Sequence, residues 1–224
     1  MTESKKIVIG LAGNPNTGKS TVFNHLTGLK QHTGNWSGKT VTNAKGSFWL
    51  KQYHCEVYDL PGIYSLFSDS AEECCAKEFI CSAKTDIMLV VLDATSLERN
   101  LTLALQILEL TDHVILCLNL IDEAQKKGIV LNTVRLSEEL GVPVVCTSAR
   151  TGKGIQEVKN MMISAVEGKI SFSPKKMTFS DTMEEVLSEF LKDTIHLLPQ
   201  GMKKNYFAMS VLEGDICSLQ LFSE

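Results

Sequence analysis

Residues 13–20 read Gly-Asn-Pro-Asn-Thr-Gly-Lys-Ser, which satisfies the pattern G-x-x-x-x-G-K-[ST] at every fixed position. The apolar run Ile7–Ala12 precedes it and the helix-competent segment Ser20–Leu26 follows. A phosphate chain needs this order of strand, tight turn and helix. The glycines let several backbone N–H groups converge on one point, and the helix N-terminus adds a partial positive charge. Lys19 is placed to reach the β- and γ-phosphates, and the Ser20 hydroxyl to ligate Mg²⁺. The stretch therefore predicts a nucleoside triphosphate site and the opening of an α/β fold.

Outward from this loop, buried-strand runs recur at Ile7–Ala12, Cys55–Asp59, Ile87–Asp93, Val114–Asn119 and Val144–Thr147. Helical patterns lie between most of them, at Ser20–Leu26, Ala71–Ser82, Leu97–Leu110, Thr133–Leu140 and Ile155–Val166. Thr40–Leu50 reads as one more strand, forming a hairpin with Tyr53–Asp59. The expectation is a P-loop α/β domain over residues 1–168, with a mostly parallel six-stranded sheet and helices on both faces. Residues 169–180 have a linker composition, and 181–224 carry two helical stretches separated by Pro199-Gln-Gly. Two helices cannot enclose a core, so this small helical subdomain must pack on the first domain or be incomplete.

The bulk numbers exclude some classes. A net charge of −4 over 224 residues argues against a nucleic-acid surface, which needs a basic face. No apolar stretch approaches the roughly 20 residues of a membrane span, and the first residues do not form a signal peptide. The chain is expected to be soluble. Its seven cysteines form no C-x-x-C pair and suit a reducing compartment.

Three further sites narrow the ligand. Asp59-Leu60-Pro61-Gly62 closes a strand, where the carboxylate can hold Mg²⁺ through water and the Gly62 N–H can meet a γ-phosphate. Asn119-Leu120-Ile121-Asp122 closes another. Guanine offers two adjacent donors, N1–H and N2–H₂, that one carboxylate accepts together, whereas adenine leaves it unpaired. Asp122 is thus the guanine selector, with Asn119 supporting the loop and reaching the base edge. The same Asp also suits a helix N-cap. In Thr147-Ser148-Ala149-Arg150 the Ala149 N–H is positioned for guanine O6. All these sites fall at strand C-termini, where open α/β sheets bind ligands.

The polar segment Gln31–Lys39 has the composition of a mobile loop that orders around a γ-phosphate. Thr40 at its end is the first candidate for a further Mg²⁺ ligand, with Thr33 and Thr42 as competitors. Ile63 occupies the place where many GTPases carry a glutamine. None of the three arginines (Arg99, Arg135, Arg150) lies in a phosphate loop, so slow hydrolysis is expected unless a cation or partner supplies charge. Glu72, Glu73, Cys74, Cys75 and Glu78 offer carboxylates and thiols on one helix, a composition that more often marks a solvated face than an iron site.

The connecting residues carry a resemblance. Gly34-Asn35-Trp36-Ser37-Gly38-Lys39-Thr40-Val41, Asp59-Leu60-Pro61-Gly62-Ile63-Tyr64-Ser65-Leu66 and Asp93-Ala94-Thr95-Ser96-Leu97-Glu98-Arg99-Asn100-Leu101 resemble the ferrous iron transport protein B family, as does the late Leu212-Glu213-Gly214-Asp215. That family comprises bacterial inner-membrane Fe(II) transporters with an N-terminal cytoplasmic G domain, followed by a helical dissociation-inhibitor domain. The resemblance implies phosphate contacts along Gly13, Asn14, Pro15, Asn16, Thr17, Gly18, Lys19, Ser20 and Thr21. It implies Mg²⁺ at Ser20, Thr40 and Asp59, γ-phosphate sensing through Gly62, and guanine contacts at Asn119, Asp122, Ser148, Ala149 and Arg150. It further implies K⁺ held by Asn16 with backbone carbonyls near Asn35 and Trp36, a GTPase, and regulation of a membrane-embedded Fe(II) permease portion at the cytoplasmic face. A homo-oligomer is compatible with it. Lys39 departs from the small apolar residue usual there. Other classes sharing these motifs are a GTP/GDP binding switch with negligible turnover and a ribosome- or tRNA-linked GTPase.

Overall fold

The computed structural model describes residues 5–28, 31–35, 41–67, 70–81, 85–175, 178–198 and 203–215. Seven strands form one sheet: β1 (Lys5–Gly13), β2 (Gln31–Asn35), β3 (Thr42–Leu50), β4 (Tyr53–Asp59), β5 (Ile87–Asp93), β6 (Val114–Asn119) and β7 (Val144–Cys146), in the order β2-β3-β4-β1-β5-β6-β7. β4, β1, β5, β6 and β7 run parallel, while β3 is antiparallel to both β4 and β2. The helices are α1 (Lys19–Thr27), α2 (Ala71–Cys81), α3 (Leu97–Leu108), α4 (Ile121–Lys126), α5 (Thr133–Leu140), α6 (Ile155–Val166), α7 (Asp181–Thr194) and α8 (Lys204–Leu212).

The expected α/β class holds, with one correction. The segment read as a mobile loop contributes an edge strand, Gln31–Asn35, so the sheet has seven strands and not six. Its polar composition hid it, because an edge strand needs only a backbone ladder, here Gln31↔Gly46 through Asn35↔Thr42. Thr40, Trp36 and Lys39 lie outside the described residues, as does Cys217.

Side-chain alternation along the central strands divides the interior into two layers. Ile7, Ile9 and Leu11 of β1 join Leu89 and Val91 of β5 beneath α1 and α6, where they meet Phe23, Leu26, Val158 and Met162. The intervening residues Met88, Val90 and Leu92 face the other way, toward Phe79, Leu103 and Ile107 of α2 and α3. Burial on both faces is why these strands read as unbroken apolar runs.

The C-terminal helices enlarge the second layer. Tyr206 and Phe207 of α8 are fully buried in it, and Phe190 and Leu191 of α7 pack against it. Lys203 donates to the Leu108 carbonyl at 2.6 Å and pairs with Asp112 at 2.6 Å, pinning the start of α8 to the end of α3. Ser180 caps α7 by accepting from the Met183 N–H. The first helical stretch ends at Thr194 in a short 3-10 turn, Ile195–Leu197.

Candidate functional site

The loop Gly13–Gly18 joins β1 to α1 and turns through left-handed backbone at Asn16 (φ 64°) and Gly18 (φ 83°). Asn tolerates this conformation better than most side chains. At Gly18 an added Cβ would lie 2.3 Å from the Asn119 amide nitrogen, so a larger residue would have to displace that amide. The Thr17 hydroxyl closes the loop internally by donating to the Asn14 carbonyl at 3.0 Å. Asn14, Pro15, Asn16, Gly18, Lys19, Ser20, Thr21 and Gly62 line a cavity of about 540 Å³ in front of the N-terminus of α1. Asn16 and Ser20 are exposed at its rim. A larger groove of about 610 Å³ lies between α5, β7 and residues 170–173, but it contains none of the motif residues.

Asp59 ends β4 and Leu60 carries the chain back across β1, its N–H donating to the Leu11 carbonyl at 2.9 Å. Gly62 is thereby set against the loop, where a Cβ would meet the Pro15 backbone at 3.3 Å. Lys19 Nζ pairs with the Asp59 carboxylate and donates to the Leu60 carbonyl at 2.5 Å. Burial raises the Asp59 carboxyl above its ordinary value, and the Lys19 charge offsets only part of that. Lys19 therefore bridges two sequence-distant motifs. An oxygen set of one hydroxyl (Ser20) and one carboxylate (Asp59) suits a hard divalent cation whose remaining ligands are water and phosphate.

Asn119, at the end of β6, is completely buried. Its Nδ2 donates to the Thr17 carbonyl at 2.9 Å, and its Oδ1 accepts from the Ala149 N–H at 2.9 Å and the Thr147 hydroxyl at 3.1 Å. It is a strut between the phosphate loop and the two base loops. The Ala149 N–H, expected to face guanine O6, is engaged by this strut, and the expected support role of Asn119 is the one its bonds display. Leu120 takes a left-handed conformation (φ 61°) and starts α4, so Asp122 lies within the first turn and is not the cap. The Asp122 carboxyl is held below its ordinary value, first by the neighbouring Ser148 side chain and also by Arg150, whose Nη2 lies 3.0 Å away. Ser148 is buried and Arg150 exposed beside it. Of the K⁺ ligands implied above, Asn16 stands at the cavity and Asn35 ends β2, while Trp36 and Thr40 lie outside the described residues.

Several contributors carry no motif. Gln106 of α3 accepts from the Leu66 N–H at 2.7 Å and donates to Ser65 Oγ at 3.2 Å. The Arg99 guanidinium stacks 4.6 Å above the Tyr64 ring, and Phe67 stacks on Tyr206 at 5.5 Å. The segment following Gly62 is thus held between α3 and α8. On α2, Lys77 is bound by both oxygens of Asp215 at 2.6 Å, with both side chains fully buried. Asp215 entered the sequence reading only within the resemblance of Leu212-Glu213-Gly214-Asp215, and nothing in the sequence pointed to its pairing with Lys77. Ser70 Oγ caps α2 by accepting from the Glu73 N–H at 3.2 Å, Glu73 accepts in return from the Ser70 N–H at 3.4 Å and hydroxyl at 2.7 Å, and Cys75 is buried. Among the described residues no three His, Cys, Asp or Glu side chains converge to hold a metal ion, and no helix is long and apolar enough to cross a membrane.

The family model described as ferrous iron transport protein B matches residues 7–162. Among curated proteins, the chain is 38% identical over 214 residues to an Fe(2+) transport protein A/Fe(2+) transporter FeoB fusion protein of Porphyromonas gingivalis, covering 93% of this chain and 25% of that one. It is 36% identical over 218 residues to the Fe(2+) transporter FeoB of Escherichia coli K12, covering 96% of this chain and 28% of that one. The chain thus spans about a quarter of the length of these relatives. Among solved structures, the cytosolic domain of the T. maritima FeoB iron transporter superposes with a TM-score of 0.85 in its apo form, at 35% identity and covering 97% of this chain and 85% of that one. Its GDP form II gives 0.86, at 35% identity with 94% and 82% coverage. On these grounds the chain belongs to the ferrous iron transport protein B family, and corresponds to the N-terminal G-domain region of its members.

Proposed function

We propose that the chain binds guanine nucleotides in the cavity in front of α1 and hydrolyses GTP slowly, as the nucleotide-dependent regulator of a ferrous iron permease at the cytoplasmic face of the bacterial inner membrane. One observation carries this reading: Lys19 and Gly62 line one cavity, Asp59 pairs with Lys19 and Asn119 holds the Thr17 carbonyl, so the ends of β1, β4 and β6 meet at it. The GDP forms solved for T. maritima and S. thermophilus relatives support it.

The loop N–H groups and the α1 N-terminus hold the phosphates, and Lys19 exchanges Asp59 for their oxygens. Asp122 exchanges Arg150 for the donor edge of guanine. Ser20, Asp59 and Thr40 are the residues that would hold Mg²⁺, and Asn16 with backbone at Asn35 and Trp36 would hold K⁺. Bound there, the two cations neutralise charge on the phosphates and supply the positive charge that no arginine of the phosphate loops provides. Ile63 offers no hydrogen bond to an attacking water, which keeps hydrolysis slow. Gly62 senses the γ-phosphate, and the segment behind it transmits the change through Phe67–Tyr206 and Lys77–Asp215 to the C-terminal helices.

GTP turnover measured in K⁺ against Na⁺ tests the reading. The expected result is stimulation by K⁺ that is lost in Asn16→Ala. Absence of turnover in both salts, with tight GDP binding, replaces the enzyme by a binding switch. Asp122→Asn is expected to weaken GTP binding more than about tenfold and favour xanthine nucleotides.

A further inference from the structure

The buried face of α3 carries a carboxamide where an apolar side chain would serve packing better. Leu103, Ala104 and Ile107 of that face are fully buried in the second layer. Gln106 stands among them, at the i+3 place of the same helical stripe, and is only 8% exposed. A leucine there would give up no hydrogen bonds to water, whereas a carboxamide gives them up at both ends and must be matched. Both ends are matched by neighbouring residues of one segment. Oε1 accepts from the Leu66 N–H at 2.7 Å, and Nε2 donates to Ser65 Oγ at 3.2 Å. Ser65 Oγ accepts in turn from the Phe67 N–H at 3.0 Å.

These bonds fall where no ladder orders the backbone. Residues 60–67 belong to neither helix nor strand. Ile63 and Leu66 are buried in the layer beside α3, but apolar burial is non-directional and does not choose a backbone geometry. The contact of Arg99 with Tyr64 lies at the surface, where such pairs are weak. The planar Gln106 amide is the buried, directional anchor. Four positions before Leu66, Gly62 lines the phosphate cavity, with room for a Cβ only 3.3 Å from the Pro15 backbone. A small slip of the segment therefore changes how Gly62 faces the cavity.

We propose that Gln106 is a positioning residue: its carboxamide fixes the backbone at Ser65 and Leu66, and thereby sets the place of Gly62 at the phosphate cavity. This inference rests on the reading that the cavity takes GTP. Only GTP has a γ-phosphate for Gly62 to meet. GDP is held by the phosphate loop and the base loops, and the two bonds of Gln106 reach neither. The effect of Gln106 thus falls on GTP and spares GDP.

Titration of the chain with the imido analogue of GTP and with GDP tests it, beside single-turnover GTP hydrolysis. Gln106→Leu removes both bonds and suits the apolar layer. It is expected to weaken the GTP analogue about tenfold, the equivalent of one lost hydrogen bond, and to change GDP affinity less than about threefold. Hydrolysis at saturating GTP should fall by a similar factor. Gln106→Glu still accepts from the Leu66 N–H and pairs with the Ser65 hydroxyl in either protonation state, so it should stay close to the parent. A Gln106→Leu chain in which both nucleotides weaken equally, or neither does, overturns the proposal whatever its melting temperature. An amide that only supports the fold cannot change the ratio. Should Gln106→Leu not fold, Gln106→Met, which keeps the unbranched stem, is read in the same way. A parent chain that binds both nucleotides without turnover refutes the enzyme reading alone, and the affinity ratio still decides the role of Gln106. A parent chain that binds neither overturns the nucleotide reading and this inference with it.

Discussion

Removing the Asp215 carboxylate should loosen the attachment of the C-terminal helices to α2. Lys77 and Asp215 are both fully buried and joined by two contacts of 2.6 Å. Asp215→Ala leaves an ammonium group in an apolar layer, which costs about 3–5 kcal/mol in comparable buried pairs. The chain can escape that cost by releasing α8, which exposes Tyr206 and Phe207 at about 1.5–3 kcal/mol each. The two routes are of equal size, so the loss is expected near 3–5 kcal/mol whichever is taken. At 224 residues, about 2–4 °C per kcal/mol gives a fall in Tm of about 6–20 °C. Scanning calorimetry reads the size, and hydrogen exchange at Tyr206–Ser210 tells undocking from global destabilisation. Replacing both partners, Lys77→Met with Asp215→Leu, removes both desolvation penalties and should restore most of the loss. An Asp215→Ala protein melting within about 2 °C of the parent would refute the reasoning. So would a double variant no more stable than the single one.

Asn119→Ala should cost about 2–4 kcal/mol, since it removes the strut and orphans the Thr17 carbonyl and the Ala149 N–H. Urea denaturation and GDP titration check it, and unchanged values in both contradict the strut. Gly18→Ala places a Cβ 2.3 Å from Asn119 Nδ2 at a φ of 83°, so GDP affinity should drop more than about tenfold while circular dichroism stays close to the parent. Burial pushes the thiol of Cys117 up to about 12 and that of Cys55 to about 11. At pH 8 their thiolate fractions are on the order of 10⁻⁴ and 10⁻³, so a thiol reagent should label them only on unfolding, as mass spectrometry of native and urea-treated protein would reveal.

Much of the site was legible because its elements are local. A strand, a glycine turn and a helix in the twenty consecutive positions Ile7–Leu26 define a phosphate loop, and a carboxylate at a strand end signals its chemistry without knowledge of its neighbours. Asp59, Asn119, Asp122 and Ser148 were singled out in this way. The edge strand β2 was not, because its residues are polar and its structure comes from a ladder supplied by β3. The six-residue α4 was missed because it is too short to show a helical period.

What the sequence determined by itself is the order of the strands' apolar runs, the phosphate loop and the identity of the groups proposed to meet a guanine nucleotide. These depend on residues within a few positions of one another. The tertiary structure decided the rest: that Lys19 rests on Asp59, that Asn119 ties three loops together, and that Lys77 meets Asp215 across 138 positions. Partnership and burial arise only when the chain closes on itself, and no local pattern encodes them.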